Sequence, residues 1–177
     1  MTITYKVYKE DFMAFQLFTA STSKRIQERK RNSWIILTIL FITIASIFYL
    51  ERNNFLAIWC GVIAVITGIF YPTYFNWTYK KHYDKYVEEH NKNSFGREEN
   101  LTIDEEMIRY QNDLGDGNVK ISSVTEIDET GAHFFLRILS GGALIIPKRE
   151  PVDIDILREK FTTLGLQIND HTNWKWK

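Results

Sequence analysis

Between Trp34 and Tyr79 the chain carries two apolar blocks separated by the polar run Glu51-Arg52-Asn53-Asn54. No side chain is charged from Asn32 to Leu50, and none from Asn53 to Tyr79. Crossing the hydrocarbon core takes about 20 mostly apolar residues. Each Ile, Leu, Phe or Val near the centre of a span favours insertion by roughly 0.3–0.6 kcal/mol. Neither block has the polar stripe that marks a core helix of a soluble protein. The pattern therefore predicts a transmembrane helical hairpin over 32–79, with spans at about 33–50 and 55–75.

The rest of the chain follows two other periods. Thr2 to Tyr8 alternates, with Ile3, Tyr5 and Val7 on one side, and predicts a half-buried strand whose partners arrive later in the chain. Asp11 to Arg31 lacks Gly and Pro and predicts a juxtamembrane helix, so that 1–31 forms an N-terminal strand and helix. After the second span, Phe75, Tyr79, Tyr83, Tyr86 and His90 recur three or four residues apart. They predict that the helix continues beyond the bilayer before a linker, making 80–97 a cytoplasmic extension.

From Glu98 onward, short alternating runs are divided by turn residues. Strands are expected at Glu99–Ile103, Met107–Gln111, Asn118–Ile121, Ser123–Asp128, Ala132–Leu139 and Ala143–Pro147. Val152 to Leu164 then reads as an amphipathic helix, with Asp153 as N-cap and Gly165 as its stop. An antiparallel meander closed by one helix over 98–167 follows, and 168–177 is left as an aromatic and basic tail.

Charge sets the orientation. The chain holds 22 basic and 22 acidic residues in 177, but the cations flank the spans. Lys24, Arg25, Arg29, Lys30 and Arg31 precede the first, Lys80, Lys81 and Lys85 follow the second, and the connecting turn has one Arg beside one Glu. The positive-inside rule places both termini in the cytoplasm. This distribution suits a membrane surface and not nucleic acid. Arg29, Lys30 and Arg31 are candidate headgroup contacts, and the same residues also serve as a plain topology collar. Trp174 and Trp176 in the tail suit a headgroup layer or docking onto the chain's own domain. Ala57, Gly61, Ala64 and Gly68 recur at helical spacing and mark a close-packing face, toward the first span or toward a second copy in a homo-oligomer. Cys60 is the only cysteine, which excludes an intramolecular disulfide and a Cys-rich zinc site.

The N-terminal strand and the basic-flanked hairpin are followed by Val124-x-x-Ile127-x-Glu129, Phe135-Leu136 and Ala143-Leu144-Ile145-Ile146-Pro147-Lys148-Arg149. Together these resemble the YcxB-like family of bacterial membrane proteins, the run from Ile145 to Arg149 being the most specific piece. Where family members often carry Trp, this chain has Ile121. The resemblance implies a pleckstrin-homology-like soluble part and no enzymatic activity. Lys148 and Arg149 are then candidates for meeting a phosphate headgroup or an acidic partner, the alternative being that they cap the sheet.

No G-x-S-x-G, H-E-x-x-H, C-x-x-C or Walker sequence occurs, and the adjacent acids Glu98-Glu99 and Asp104-Glu105-Glu106 read as solvated surface. The expected protein is an α+β membrane protein of the bacterial cytoplasmic membrane, multi-pass, without catalytic residues, metal or cofactor. Its hairpin is inserted between the N-terminal strand and helix and the pleckstrin-homology-like β-domain. Membrane lipids and an unknown protein are the expected partners, and anchoring of a binding or scaffolding domain the expected role. An immunity-type protein that neutralises a toxin in the bilayer, or a small oligomeric transporter subunit, is the alternative.

Overall fold

The computed structural model describes residues 1–176. They divide into two compact units, residues 1–16 with 85–175, and residues 17–84 with Trp176.

In the first unit, strands β1 (Thr2–Lys6), β2 (Glu98–Ile103), β3 (Met107–Asn112) and β4 (Gly115–Lys120) form one antiparallel sheet in that order. A second sheet has the order β7-β6-β5-β8, from β5 (Val124–Thr130), β6 (His133–Ile138), β7 (Ala143–Pro147) and β8 (Ile168–His171). Helix α4 (Ile154–Thr163) follows β7. The alternation at the N-terminus does what its period requires: Ile3 and Tyr5 are buried while β1 pairs with β2, Ile3 facing Leu101. This unit is thus discontinuous in sequence.

One core joins both sheets and the helix. Ile3, Leu101 and Ile108 from the first sheet, Ile127, Phe134, Leu136 and Ile146 from the second, and Leu157 and Phe161 of α4 belong to it. Phe134 and Phe161 meet edge to face at 5.7 Å. The Asp153 carboxylate caps α4 by accepting from the N–H groups of Asp155 and Ile156, both at 3.1 Å. Ile156 of α4 is exposed.

Three features differ from the sequence reading. The strands form two four-stranded sheets and no closed barrel among the described residues. The stretch 168–177 is not only a tail, because β8 pairs with β5, in parallel, from Ile127↔Ile168 to Thr130↔His171. The turn after β3 is also tighter than the gap expected between strands ending at Gln111 and starting at Asn118: Asn112 Oδ1 accepts from Leu114 N at 2.8 Å and Gly115 N at 3.2 Å, and β4 starts at once. Opposite Tyr110 on β4 stands Gly117, where an added Cβ would fall 2.3 Å from the tyrosine ring. Gly117→Val is expected to destabilise the β3–β4 hairpin by about 1–2 kcal/mol through that overlap. Hydrogen exchange at β4 amides checks this, and unchanged protection counts against it.

The second unit is helical. Its two long helices are α2 (Lys24–Leu50) and α3 (Asn54–Asn91), the latter running on past residue 84, and α1 (Lys9–Thr22) precedes them. The helix expected over Asp11 to Arg31 is broken at Ser23, which takes an extended conformation. The Ser21 and Thr22 hydroxyls bond back to the Phe18 carbonyl at 2.7 and 3.1 Å, the local competition by which hydroxyl residues loosen a helix.

The turn between α2 and α3 is built from its own termini. Arg52 sits at φ 57°, its N–H donates to the Tyr49 carbonyl, and Asn53 N–H reaches the Phe48 carbonyl at 3.0 Å. This is a Schellman stop. Asn53 Oδ1 then accepts from Leu56 N at 3.3 Å and caps α3.

Candidate functional site

Two regions carry unusual chemistry, one in each unit. In the helical unit both long helices are long and apolar enough to cross a membrane. Mean hydropathy of the apolar window is 2.3 in α2 with 0% of it buried, and 2.0 in the segment Asn54–Ser94 with 6% buried. Side chains such as Ile36, Ile58 and Phe70 stand exposed around the helices. Soluble monomers rarely expose contiguous apolar patches larger than a few hundred Å².

Pro72 leaves α3 unbroken. Because proline has no N–H, the Gly68 carbonyl four residues earlier loses its helical donor. The Trp34 indole Nε1–H of α2 donates to that oxygen at 3.0 Å, which ties the two helices together where the first apolar block begins. Lys30 Nζ donates to Asn76 Oδ1 at 2.8 Å and lies 5.8 Å from the Phe75 ring centroid. The basic start of α2 and the Asn76 region of α3 therefore share one end of the hairpin, opposite the Arg52 turn.

Ala57, Gly61, Ala64 and Gly68 face α2 across a cleft of about 970 Å³ that Thr38, Ala45 and Ser46 also line. The close backbone approach expected of this stripe is not made at Gly61, where an added Cβ would meet nothing within 4 Å. At Gly68 it would touch only Thr38 Cγ2, at 3.9 Å. Ala64 is buried.

In the β unit the chemistry lies in buried charge. Asp11, in the first turn of α1, is 2% exposed. Its carboxylate is bonded to His133 Nε2 at 2.8 Å and to Nη1 and Nη2 of Arg149, and accepts from the Tyr8 backbone N–H at 2.7 Å. The last contact is half of a capping box. Arg149 also donates to the Lys6 carbonyl at 2.6 Å and stacks over Tyr8 at 4.8 Å. His133 lies nearly parallel to the Phe135 ring, 5.3 Å away, and Phe15 of α1 meets Phe135 edge to face, also at 5.3 Å.

A second cluster occupies the core side of β5. Glu129 accepts from Lys148 Nζ at 2.6 Å, from Arg158 Nη2 at 2.6 Å and from Arg158 Nε at 3.3 Å. Lys148 also sits 4.6 Å from the Phe134 ring centroid, a cation–π contact. On the opposite face of β5, Asp128 is bonded to Arg137 at 2.6 Å and to Asn169 of β8 at 3.3 Å, with His171 Nε2 at 3.4 Å.

Of the two readings of Lys148 and Arg149, headgroup or partner contact and capping of the sheet, these contacts fit the structural one. The Lys148 side chain is 6% exposed and bound to Glu129, and Arg149 is turned onto Asp11. Neither Asp11 nor Arg158 was legible as a partner, since each lies outside the strand it serves. Trp174 is half-buried and its backbone N donates to the His171 carbonyl at 2.8 Å, while Trp176 is also half-buried. Arg29 and Arg31 are exposed on α2, and Lys30 is the member of that trio held by Asn76.

Residues 103–150 match the family model described as YcxB-like protein. The chain carries a YcxB-like segment. No curated protein and no solved structure matches it. The YcxB-like segment contains β3 to β7 with His133, Glu129, Lys148 and Arg149, yet their charges are completed from outside it, by Asp11 and Arg158. The YcxB-like segment is therefore electrostatically finished only when α1 and α4 are in place.

Burial pushes the Asp11 carboxyl up, but hydrogen bonds from His133, Arg149 and the Tyr8 N–H outweigh it and hold it below the usual range. At Glu129 burial likewise opposes the Arg158 and Lys148 hydrogen bonds, and the bonds win. Both folded-state values lie below the unfolded ones, so the unfolded chain binds more protons in acid. The stabilisation these carboxylates supply is complete above about pH 5 and lost as pH falls through the carboxylate range. Thermal midpoints measured from pH 6 down to pH 3 are expected to fall. Asp11→Asn should flatten that fall, and a variant with an unchanged acid slope would contradict the assignment.

Proposed function

We propose that the chain is an integral membrane protein whose hairpin anchors the β unit on the cytoplasmic side of a bacterial inner membrane, where that unit binds a protein segment. The observation that carries this is the uncovered apolar surface of α2 and α3 with cations gathered at one end. In a bilayer that surface would contact acyl chains, and the charge bias supports a cytoplasmic position for both termini.

Binding rather than catalysis is the reading for the β unit. Its buried acids Asp11 and Glu129 are committed to Arg149, Lys148 and Arg158, pairings that join helix to sheet and so support a structural role for them. Capture of an extended segment is supported by β4, an outer strand of the first sheet with mostly exposed side chains. No cofactor or nucleic acid enters this proposal. A second reading, in which the hairpin works within the bilayer against a toxin or another membrane protein, is favoured by the apolar cleft between its helices. Transport by a single copy is disfavoured because neither apolar block holds an ionisable chain of the kind that marks an ion path.

Membranes washed with alkaline carbonate should retain the protein, and tags on either terminus should be protected from protease in intact cells. Release by carbonate would remove the anchor, and an accessible tag would reverse the orientation. Crosslinking in native membranes followed by mass spectrometry should capture a soluble protein on the β unit. Recovery of self-crosslinks alone would remove the binding-module reading.

A further inference from the structure

We propose that the hairpin holds one anionic phospholipid by its phosphate, in the cavity between the first turns of α2 and Pro72 of α3. This rests on the membrane-spanning reading above. Lys24, Gln27, Arg31 and Trp34 follow one another by three, four and three residues and so share a helix face. With Lys30 and Pro72 they line a cavity of about 430 Å³. Glu28 is the acid on its wall. Three cations against that single carboxylate leave the cavity positive.

Two of its parts are held in place before any ligand arrives. The Trp34 ring is fixed by its bond to the Gly68 carbonyl, and Lys30 by Asn76 and the Phe75 ring. Lys24 and Arg31 enter no ion pair among the described residues, so their charge is available. Preorganised cations lose less freedom on binding than mobile ones.

Depth selects a lipid over a dissolved anion. At about 1.5 Å per residue, Arg31 lies roughly 4.5 Å and Lys24 roughly 15 Å outward of Trp34 along α2. That range includes the headgroup layer, whose thickness is about 5–8 Å on each side of the hydrocarbon. Inward of Trp34 the flank of α2 is exposed and apolar at Ile35 and Ile39, a surface for the acyl chains of the same molecule. Basic pockets between spans on the cytoplasmic side are suited to acidic headgroups. The neighbouring cavity lined by Arg25, Arg29, Tyr79 and His82 begins farther from Trp34 and is not closed by that ring or by Pro72, which makes it a matched control for charge.

The full chain would be purified in mild detergent, supplemented with phosphatidylglycerol or phosphatidylcholine, and examined by native mass spectrometry. One phosphatidylglycerol per chain is expected to survive where phosphatidylcholine does not. Lys24→Gln/Arg31→Gln spares the Lys30–Asn76 bond and should weaken retention about tenfold. Arg25→Gln/Arg29→Gln removes the same charge and should leave retention within about twofold of the parent. Equal loss in both variants, or no headgroup preference, would overturn the site. Displacement by millimolar inorganic phosphate would show a dissolved-anion site and overturn the lipid assignment. A protein absent from carbonate-washed membranes would instead overturn the anchor reading, so the two failures are separable.

Discussion

Asp11→Asn is expected to lower the thermal midpoint of the β unit by on the order of 10 °C, the equivalent of about 2–3 kcal/mol for a unit of this size. The side chain keeps its shape in this variant but loses its charge. Two cationic or proton-bearing partners then face a neutral amide in a site that is 2% exposed. Breaking a buried pair from one side costs more than the pair contributes, because the remaining charge keeps its desolvation penalty. Arg149 is half exposed and recovers part of its hydration, which is why the expected cost falls below the roughly 3–5 kcal/mol of a fully buried pair. The same carboxylate also accepts from the Tyr8 N–H, so the start of α1 should loosen with the network. Near-UV circular dichroism of the full chain in detergent reads the midpoint. A shift below about 2 °C would mean that Asp11 is not what joins α1 to the second sheet.

Glu129→Ala should cost about 3–5 kcal/mol, since it strands the Lys148 ammonium at 6% side-chain exposure. The Phe134 ring beneath Lys148 cannot replace a carboxylate, because a cation–π contact supplies only about 0.5–2 kcal/mol. Arg158 is more exposed and turns to water or to Asp155, already 2.7 Å away. Removing both buried charges tests the mechanism directly. Glu129→Leu/Lys148→Met should recover most of the loss, because well-packed apolar side chains avoid the desolvation cost that the pair only offsets. Denaturant unfolding of the four members of the cycle gives the coupling. Additive single effects would show that Glu129 and Lys148 are not coupled.

Much of the architecture was legible because its signals are local. An apolar block followed by a polar turn and a second apolar block needs no distant partner to become a helical hairpin, and both long helices fall on it. The strands β2 to β7 lie within a few residues of their alternating runs, since each is bounded by its own turn residues. Helix α4 begins where Asp153 can cap it. Strand β8 escaped for the converse reason. Its sequence, Ile168-Asn169-Asp170-His171, has turn composition, and it becomes a strand because β5 offers it an edge and Asp128 and Glu126 accept from Asn169.

The charged networks were the least legible part. Glu129, Lys148 and Arg149 stand in the runs that pointed to a YcxB-like segment, but nothing near them in sequence says whether they face water or each other. Asp11 and Arg149 are 138 positions apart, and Asp11 and His133 are 122 apart. The break at Ser23 was hidden because three successive hydroxyl residues, unlike Gly or Pro, permit a helix as readily as they interrupt one.

By itself the sequence determined where the chain is apolar enough to leave water, where it turns, and which end of the hairpin is basic, because each depends on neighbours within a turn or two. Only the tertiary structure decided that the strands divide into two sheets, that β8 lies parallel to β5, that Lys148 is buried against Glu129, and that the half-exposed Arg149 is paired with Asp11. Those outcomes depend on which groups the folded chain brings within hydrogen-bond distance. A buried carboxylate takes the cation that is near it in space, wherever that cation lies along the chain.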